Sequence, residues 1–375
     1  MAALRDDVDP DGLLEFSVVF TDRSLNHMSA SFQQVMRDIS ETLKGVYNAH
    51  AVAVVPGGGT YAMEAVARQL AGGETVMVIR NGWFSYRWTQ IFEAAQLPTD
   101  EIVMPARRAG NSETSPFAPA PVDEVVAKIR EARPAAVFAP HVETASGMIL
   151  PDDYIASVTA AAHEVGALFI LDCIASGCVW VDMAELGVDV LISAPQKGWS
   201  SSPSAGLVML SEAAEERVKA RNSSSFAVDL GKWLSIMEAY TGGAHAYHAT
   251  MPTDALRAFR DTMNECGGIG FDRLKDAQVE LGAKVRAMLA ARGIQSVAAD
   301  GFGAPGVVVS YTDDPEVQSG KAFLAEGMQI AAGVPLMVGE GDGYRSFRIG
   351  LFGLDKLLDV DACVARLESA LDKVT

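Results

Sequence analysis

The chain has 375 residues, a formal net charge of −18 and an isoelectric point of about 4.7. Hydrophobic residues make up 49% of it and charged residues 21%, which allows a large core spread over roughly two or three domains. The negative charge disfavours nucleic-acid binding, no apolar run is long enough to cross a membrane, and four cysteines without metal-binding spacing predict a reduced, cytoplasmic protein.

Residues 1–15 predict a loose acidic arm, and the rest of the chain alternates between strand-like and helix-like stretches. Short apolar runs predict strands at 51–55, 75–80, 101–104, 135–139, 167–171, 188–192, 206–210 and 306–311. Periodic or capped stretches predict helices at 29–47, 61–70, 122–132, 152–165, 212–221, 229–240, 252–292, 318–324 and 360–371. This alternation is typical of an α/β fold.

A glycine-rich turn, PGGGT at 56–60, joins the first predicted strand to the following helix. A strand, a glycine turn and a helix together present backbone N–H groups and the positive end of a helix dipole to a phosphate. Such turns also serve as plain connectors. The turn is not a nucleotide-binding P-loop, because no lysine follows the glycines.

Four aromatic residues lie among the six at 83–88, directly after the strand at 75–80. Such a group can pack in a core, or one of its rings can stack on a flat cofactor. Arg87, within this segment, is expected to form a structural pair on a helix.

Asp172 ends the run at 167–171, and Lys197 follows the run at 188–192 in a loop rich in Ser, Gly and Pro. Because ligands bind outside the carboxyl ends of strands in an open α/β sheet, we expect both side chains in one crevice. An aspartate and a lysine placed so indicate pyridoxal phosphate (PLP), with the amine bonded to the cofactor and the acid keeping its ring nitrogen protonated. Alternatively, Lys197 is an ordinary solvated lysine.

Arg348 lies in an apolar, strand-like run, SFRIGLF at 346–352. A buried arginine without an anion is costly, and the planar guanidinium suits a carboxylate. We therefore expect Arg348 to bind a substrate carboxylate or, alternatively, to form an internal ion pair.

The motifs around these residues resemble class V aminotransferases of fold type I, and most closely the alanine–glyoxylate and serine–pyruvate aminotransferase group. The shared strings are NGxFxxR at 81–87, DxxAS at 172–176, SxxQKG at 193–198 and YHxTxP at 247–252. The likeness extends from about Ser29 to Leu371. It implies a large domain with a mainly parallel seven-stranded sheet, which we expect at 16–255, and a smaller C-terminal α/β domain at 256–375.

The resemblance also implies how the phosphate of PLP is held. Gly58, Gly59 and Thr60 match the family's phosphate-cradling segment, and Gln196 would donate to the same group. Tyr247 and Thr250 match residues that cross a dimer interface to the partner's phosphate. The active unit would then be a homodimer.

The cofactor ring has its own implied contacts. Phe84 would stack on one face and Ile174 would pack on the other, with Thr144 touching the ring. This chain departs from the family pattern at two places, one in the segment whose hydroxyls contact the cofactor ring and one in the segment that lines the substrate pocket. Ala145 stands where a hydroxyl is usual, and VVFTDRSLNH at 18–27 replaces a segment rich in Gly and Pro.

The implied reaction is transamination between a small amino acid, such as alanine or serine, and glyoxylate or pyruvate. Lys197 would carry the proton, Asp172 would act through the ring nitrogen, and Arg348 would bind the substrate carboxylate. The main alternative is a PLP-dependent lyase acting on a small amino acid or an aminophosphonate. A desulfurase, which needs a mobile cysteine, and an inactive binding protein on the same fold are further alternatives.

Overall fold

The computed structural model describes residues 6–374. The strands, in chain order, are β1 (Ala51–Pro56), β2 (Thr75–Arg80), β3 (Asp100–Pro105), β4 (Arg107–Arg108), β5 (Phe117–Ala118), β6 (Ala136–Pro140), β7 (Val142–Glu143), β8 (Met148–Ile149), β9 (Leu168–Asp172), β10 (Val190–Ser193), β11 (Ala205–Leu210), β12 (Val307–Tyr311), β13 (Ala331–Ala332) and β14 (Ser346–Gly350).

The helices, in chain order, are α1 (Ala30–Tyr47), α2 (Gly59–Leu70), α3 (Trp83–Ala95), α4 (Val122–Ala132), α5 (Asp152–Glu164), α6 (Met183–Leu186), α7 (Glu212–Lys219), α8 (Leu230–Thr241), α9 (Thr253–Ile269), α10 (Phe271–Ala291), α11 (Pro315–Gln318), α12 (Lys321–Ala325), α13 (Leu354–Leu357) and α14 (Val360–Val374). Ser29 caps α1 as predicted, since its side chain accepts the Phe32 N–H.

The central sheet has seven strands in the order β1-β11-β10-β9-β6-β2-β3. Strand β11 runs antiparallel to both of its neighbours, and the other neighbouring pairs run parallel. Every residue of β6, β9, β10 and β11 is buried, because helices such as α2, α3, α5 and α8 pack against the sheet. The prediction of a mainly parallel seven-stranded sheet is therefore confirmed.

A second, antiparallel sheet in the order β12-β14-β13 lies in the C-terminal third and carries Arg348. Helices α9 and α10 connect it to the first sheet. They are separated at Gly270, whose φ of 104° is disfavoured for residues with a side chain. The expected domain boundary at 255–256 lies within α9, and the division into domains stays a prediction.

Two local predictions need correction. The helix expected at 318–324 is in fact α11 and α12, because Gly320 has a φ of 79° and interrupts the helical backbone. The acidic arm is not loose throughout, since Val8 and Asp9 are buried and Arg257 donates to the Val8 carbonyl. Residues 1–5 of that arm lie outside the described residues. Across 6–374, no helix combines the length and apolarity needed to span a bilayer.

Candidate active site

A cavity of about 430 Å³ opens where β1, β2, β6, β9 and β10 end. Its position at the carboxyl ends of these strands is the one that an open α/β sheet predicts. Most of the predicted site residues line it, namely Gly59, Thr60, Phe84, Thr144, Asp172, Ile174, Gln196, Lys197 and Arg348. Residues separated by up to 289 positions, Gly59 and Arg348, thus meet in one site.

The first turn of α2 forms one end of the cavity. No side chain caps this helix at Gly58, so the backbone N–H groups of Gly59 and Thr60 in its first turn are available to an anion. A β-carbon at Gly59 would lie 2.5 Å from Cδ1 of Ile174, so only glycine allows this close approach. Gly58 does not line the cavity; its carbonyl accepts the Tyr61 N–H at 2.9 Å.

Gln196 lies beside Lys197 in the cavity wall and carries a buried polar atom without a partner. Its Oε1 forms no hydrogen bond within the described residues. Buried polar groups of proteins are normally hydrogen-bonded, so a polar ligand in this cavity would satisfy Gln196. The open helix terminus and the Nε2–H groups of this amide are donors and fit the phosphate of PLP, whereas Oε1 itself accepts and needs a donor.

Asp172 ends β9 and is buried against the cavity. Burial raises the pKa of its carboxyl to about 7, although the Ile174 N–H, which donates to its Oδ1 at 2.9 Å, acts in the opposite direction. The nearby Glu143 raises the pKa further, and Arg87 lowers it. A carboxyl in this environment is stabilised by a cationic partner, which the protonated ring nitrogen of PLP would provide.

Lys197 faces the same cavity from the loop after β10. Burial lowers the pKa of its amine, and the positive charge of Arg348 lowers it further. Its Nζ lies 5.2 Å from the centroid of the Phe352 ring. Lys197 is therefore not a solvated loop lysine, and a larger fraction of its amine is neutral and able to react than in water.

Arg348 reaches the cavity from β14. Its Nε donates to the Ala332 carbonyl at 2.8 Å, and its guanidinium lies 5.6 Å from the Phe84 ring centroid. Burial lowers its pKa, against the opposing effect of Glu143. Within residues 6–374 no carboxylate forms an ion pair with it, so the structure favours a bound anion over an internal ion pair.

Glu143 is a buried residue that the sequence analysis did not single out. Its carboxylate accepts the N–H groups of Phe84, Ser85 and Ala145 and the hydroxyl of Ser85. Glu143 thereby holds the start of α3, and with it the Phe84 ring, against the cavity. The only sequence signal was its place directly before Thr144.

Several residues that line the cavity were missed, among them Arg87 and Phe352. Arg87, expected to form a structural pair, donates from Nη1 to Oγ1 of Thr60 at 3.0 Å and lies 5.0 Å from the Phe84 ring centroid. Phe352, four positions after Arg348, covers Lys197. Arg87 stands in the string NGxFxxR that carries the family resemblance, and Phe352 ends the apolar run SFRIGLF that contains Arg348.

Tyr247 and Thr250 do not line the cavity of their own chain. The hydroxyls of Tyr247 and Thr250 lie 3.0 Å apart, and 53% of Tyr247 is exposed. The Tyr247 ring lies 5.4 Å from that of His27. Their expected contact with a partner's phosphate stays a prediction.

Comparison with known proteins identifies the family. The model of the class-V aminotransferase family matches residues 15–333. The chain belongs to this family. It is a PLP-dependent class-V aminotransferase, and its cavity residues fit the cofactor as described above.

Relatives of this class-V aminotransferase carry several names. The small subunit of a soluble hydrogenase from Synechococcus is 27% identical over 352 residues, covering 92% of this chain and 87% of the relative. The 2-aminoethylphosphonate–pyruvate transaminase of Vibrio vulnificus is 27% identical over 345 residues, covering 90% and 88%. The crystal structure of an alanine–glyoxylate aminotransferase from Nostoc matches with a TM-score of 0.77 at 22% identity, covering 93% and 89%, which supports the fold.

Proposed function

We propose that this aminotransferase moves the amino group of a small amino acid, such as alanine or serine, to glyoxylate or pyruvate. The observation that carries the proposal is the guanidinium of Arg348, which forms no ion pair with a carboxylate in the described chain and shares a cavity with Lys197. A substrate carboxylate bound to Arg348 would orient its amino group toward Nζ of Lys197. Apolar side chains such as Val142, Val307 and Phe352 form much of the remaining wall, which suits a small side chain.

The residues divide the chemistry between them. PLP, when bound, withdraws electrons from the substrate's Cα–H bond. Lys197 then takes the Cα proton on its neutral Nζ and holds it for return to another carbon, acting as base and then as acid. Asp172 holds a proton on the ring nitrogen by pairing with it. Arg348 fixes the carboxylate so that the Cα–H bond stays near Nζ.

An aminophosphonate donor is a second candidate, because a relative of similar coverage is named 2-aminoethylphosphonate–pyruvate transaminase. The guanidinium of Arg348 can bind a phosphonate as well as a carboxylate. A desulfurase is disfavoured by Cys266, the nearest candidate for a persulfide carrier. That thiol is buried, and burial raises its pKa to about 11, which is unlike a mobile, reactive cysteine.

The deciding experiment is a half-reaction followed by visible absorption. The purified holoenzyme is mixed with alanine, serine or 2-aminoethylphosphonate in turn, without any 2-oxo acid. The true donor should convert the cofactor band once and release one equivalent of oxo product, and glyoxylate or pyruvate should restore the band. Consumption of a donor over many turnovers without an acceptor would instead establish a lyase. Lys197→Ala, which removes the base, should show no conversion.

A further inference from the structure

Arg87 occupies a position between the two ends of the cofactor cavity. It lies one turn into α3, and its guanidinium contacts both Oγ1 of Thr60, at 3.0 Å, and the face of the Phe84 ring, at 5.0 Å from the centroid. Thr60 is in the first turn of α2, where the backbone N–H groups are uncapped. Arg87 therefore brings a positive charge to the helix terminus that already favours an anion.

No acidic side chain of the described residues forms an ion pair with Arg87. Its hydrogen-bond partner among the described residues is the neutral hydroxyl of Thr60, and Asp172 interacts with it only as a more distant charge that does not form an ion pair. Other arginines of this chain are paired, for example Arg107 with Glu124 and Arg130 with Glu164. A guanidinium with five donors and one neutral partner retains most of its capacity for an anion.

The contact with Arg87 also sets the direction in which the Thr60 hydroxyl forms hydrogen bonds. Oγ1 accepts the hydrogen bond from Arg87, so the hydroxyl proton remains free to be donated elsewhere. The cavity and the open start of α2 lie beside it. A group with several acceptor oxygens placed there would receive this proton, backbone N–H groups and the charge of Arg87 together.

We propose that Arg87 is a binding residue for the phosphate of PLP, to which it contributes its charge and toward which it orients the Thr60 hydroxyl. The inference rests on the cofactor, and the identity of the substrate pair does not enter it. Arg87 is thus distinct from Arg348, which lies over the same ring but comes from the second sheet and serves the substrate.

The test compares PLP with pyridoxal, which has the same ring and aldehyde but no phosphate. The 375-residue chain is stripped of cofactor, and the dissociation constant of each compound is measured by the quenching of tryptophan fluorescence. Arg87→Gln should weaken PLP binding roughly 10- to 100-fold and leave pyridoxal binding within about 3-fold, because a charge-assisted hydrogen bond to the phosphate is lost. Arg87→Lys, which keeps the charge without the planar fork, should lose less.

Two comparisons make the test specific. Arg107→Gln removes the same charge from the surface and should leave PLP binding unchanged. Thr60→Val combined with Arg87→Gln should cost less than the sum of the single changes, because the two side chains act as a unit. Unchanged PLP affinity in Arg87→Gln, or an equal loss for PLP and pyridoxal in that variant and in Arg87→Lys, would overturn the inference. Either result leaves the proposed transamination to be judged on its own half-reaction.

Discussion

At the scale of single residues, Arg348 gives the sharpest prediction for catalysis. Its guanidinium lies in the cavity, donates to the Ala332 carbonyl and forms no ion pair with a carboxylate among residues 6–374. Arg348→Gln should lower kcat/KM for a carboxylate substrate by roughly 100-fold, because charge-assisted hydrogen bonds to that group are lost. Steady-state kinetics with the wild type and the variant measure the ratio. The matched control is Arg345→Gln, which changes an exposed arginine nearby; an equal loss in both would refute a specific role for Arg348.

Asp172 predicts how stability depends on pH in the cofactor-free protein. Burial raises the pKa of its carboxyl from 3.8 to about 7, so between these values the folded chain binds a proton that the unfolded chain has released. The contribution of this carboxyl to the free energy of unfolding is therefore fully present at low pH and is lost as the pH rises through the folded pKa of about 7. The loss is about 4 kcal/mol over the whole range between the two pKa values. Asp172→Asn, which cannot ionise, should lack this loss. Urea unfolding of both stripped proteins at pH 5 and pH 8 tests the difference, and parallel behaviour at the two pH values would contradict it.

The site residues that the sequence predicted are marked by their position after a strand, whereas those that it missed are defined by contacts with residues distant in sequence. Asp172 and Lys197 follow predicted strands, and strand ends of a parallel sheet converge whatever their separation. Glu143 acts through bonds to a helix start 58 and 59 positions away, and no local pattern reveals such a contact. The role of Phe352 likewise follows only from the contact of its ring with Lys197, which the sequence does not show.

At the scale of elements, the start of α3 depends on a close approach at Gly82. A β-carbon there would lie 2.7 Å from Cγ of Glu143 and 3.0 Å from Cβ of Ala145. Gly82→Ala should therefore displace the carboxylate that anchors α3, lowering the free energy of unfolding by roughly 1–3 kcal/mol and weakening PLP binding through Phe84. Thermal unfolding and PLP titration measure the two effects.

Gly45 offers the control for that substitution. It lies near the end of α1 with open space around its position, where an added methyl group meets nothing within 4 Å. Gly45→Ala should raise stability by roughly 0.5–1 kcal/mol, because alanine loses less backbone entropy in a helix. A similar loss at both glycines would show that contact with Glu143 is not what makes Gly82 necessary.

Element positions followed from the sequence where one physical signal dominated. Continuous apolar runs placed the strands of the central sheet to within one or two residues, because strands buried on both faces need such runs. The prediction of one helix at 318–324 was wrong because Gly320, with a positive φ, interrupts a periodic stretch. The sequence does not show which backbone conformation a glycine adopts.

At the scale of the whole molecule, strand order was not derivable from local pattern. Strand β11 lies antiparallel between β1 and β10, yet its sequence resembles that of the parallel strands. The seven-stranded sheet was reached through the family resemblance. A surface that contacts a second chain is likewise not predicted by local sequence pattern. In the structure, Leu13, Phe16 and Val18 are 88%, 89% and 101% exposed, as expected for a segment that contacts another chain.

We predict that the protein is a homodimer, of twice the 39.8 kDa of one chain. The exposed apolar segment at 13–19 and the exposed Tyr247 are the surfaces that support this prediction. Sedimentation at micromolar concentration should give the dimer mass. Replacing Phe16 and Val18 by serine should shift the distribution toward the monomer, whereas the same change at the exposed Leu358, distant in sequence, should not. A monomeric wild type would contradict the prediction.

We predict that the two chains of the dimer share each active site, and complementation tests this. Tyr247 and Thr250 lie outside the cavity of their own chain, and the resemblance assigns them to the partner's phosphate. A chain with Lys197→Ala still offers its partner both hydroxyls, and a chain with Tyr247→Ala and Thr250→Ala still has its own lysine. If the site is shared, mixing the two inactive variants under exchange conditions creates one intact site in each hybrid dimer. Random pairing then restores about a quarter of the wild-type activity. If each chain instead supplied Tyr247 and Thr250 to its own cavity, every site in the mixture would carry a lesion, and no activity would return.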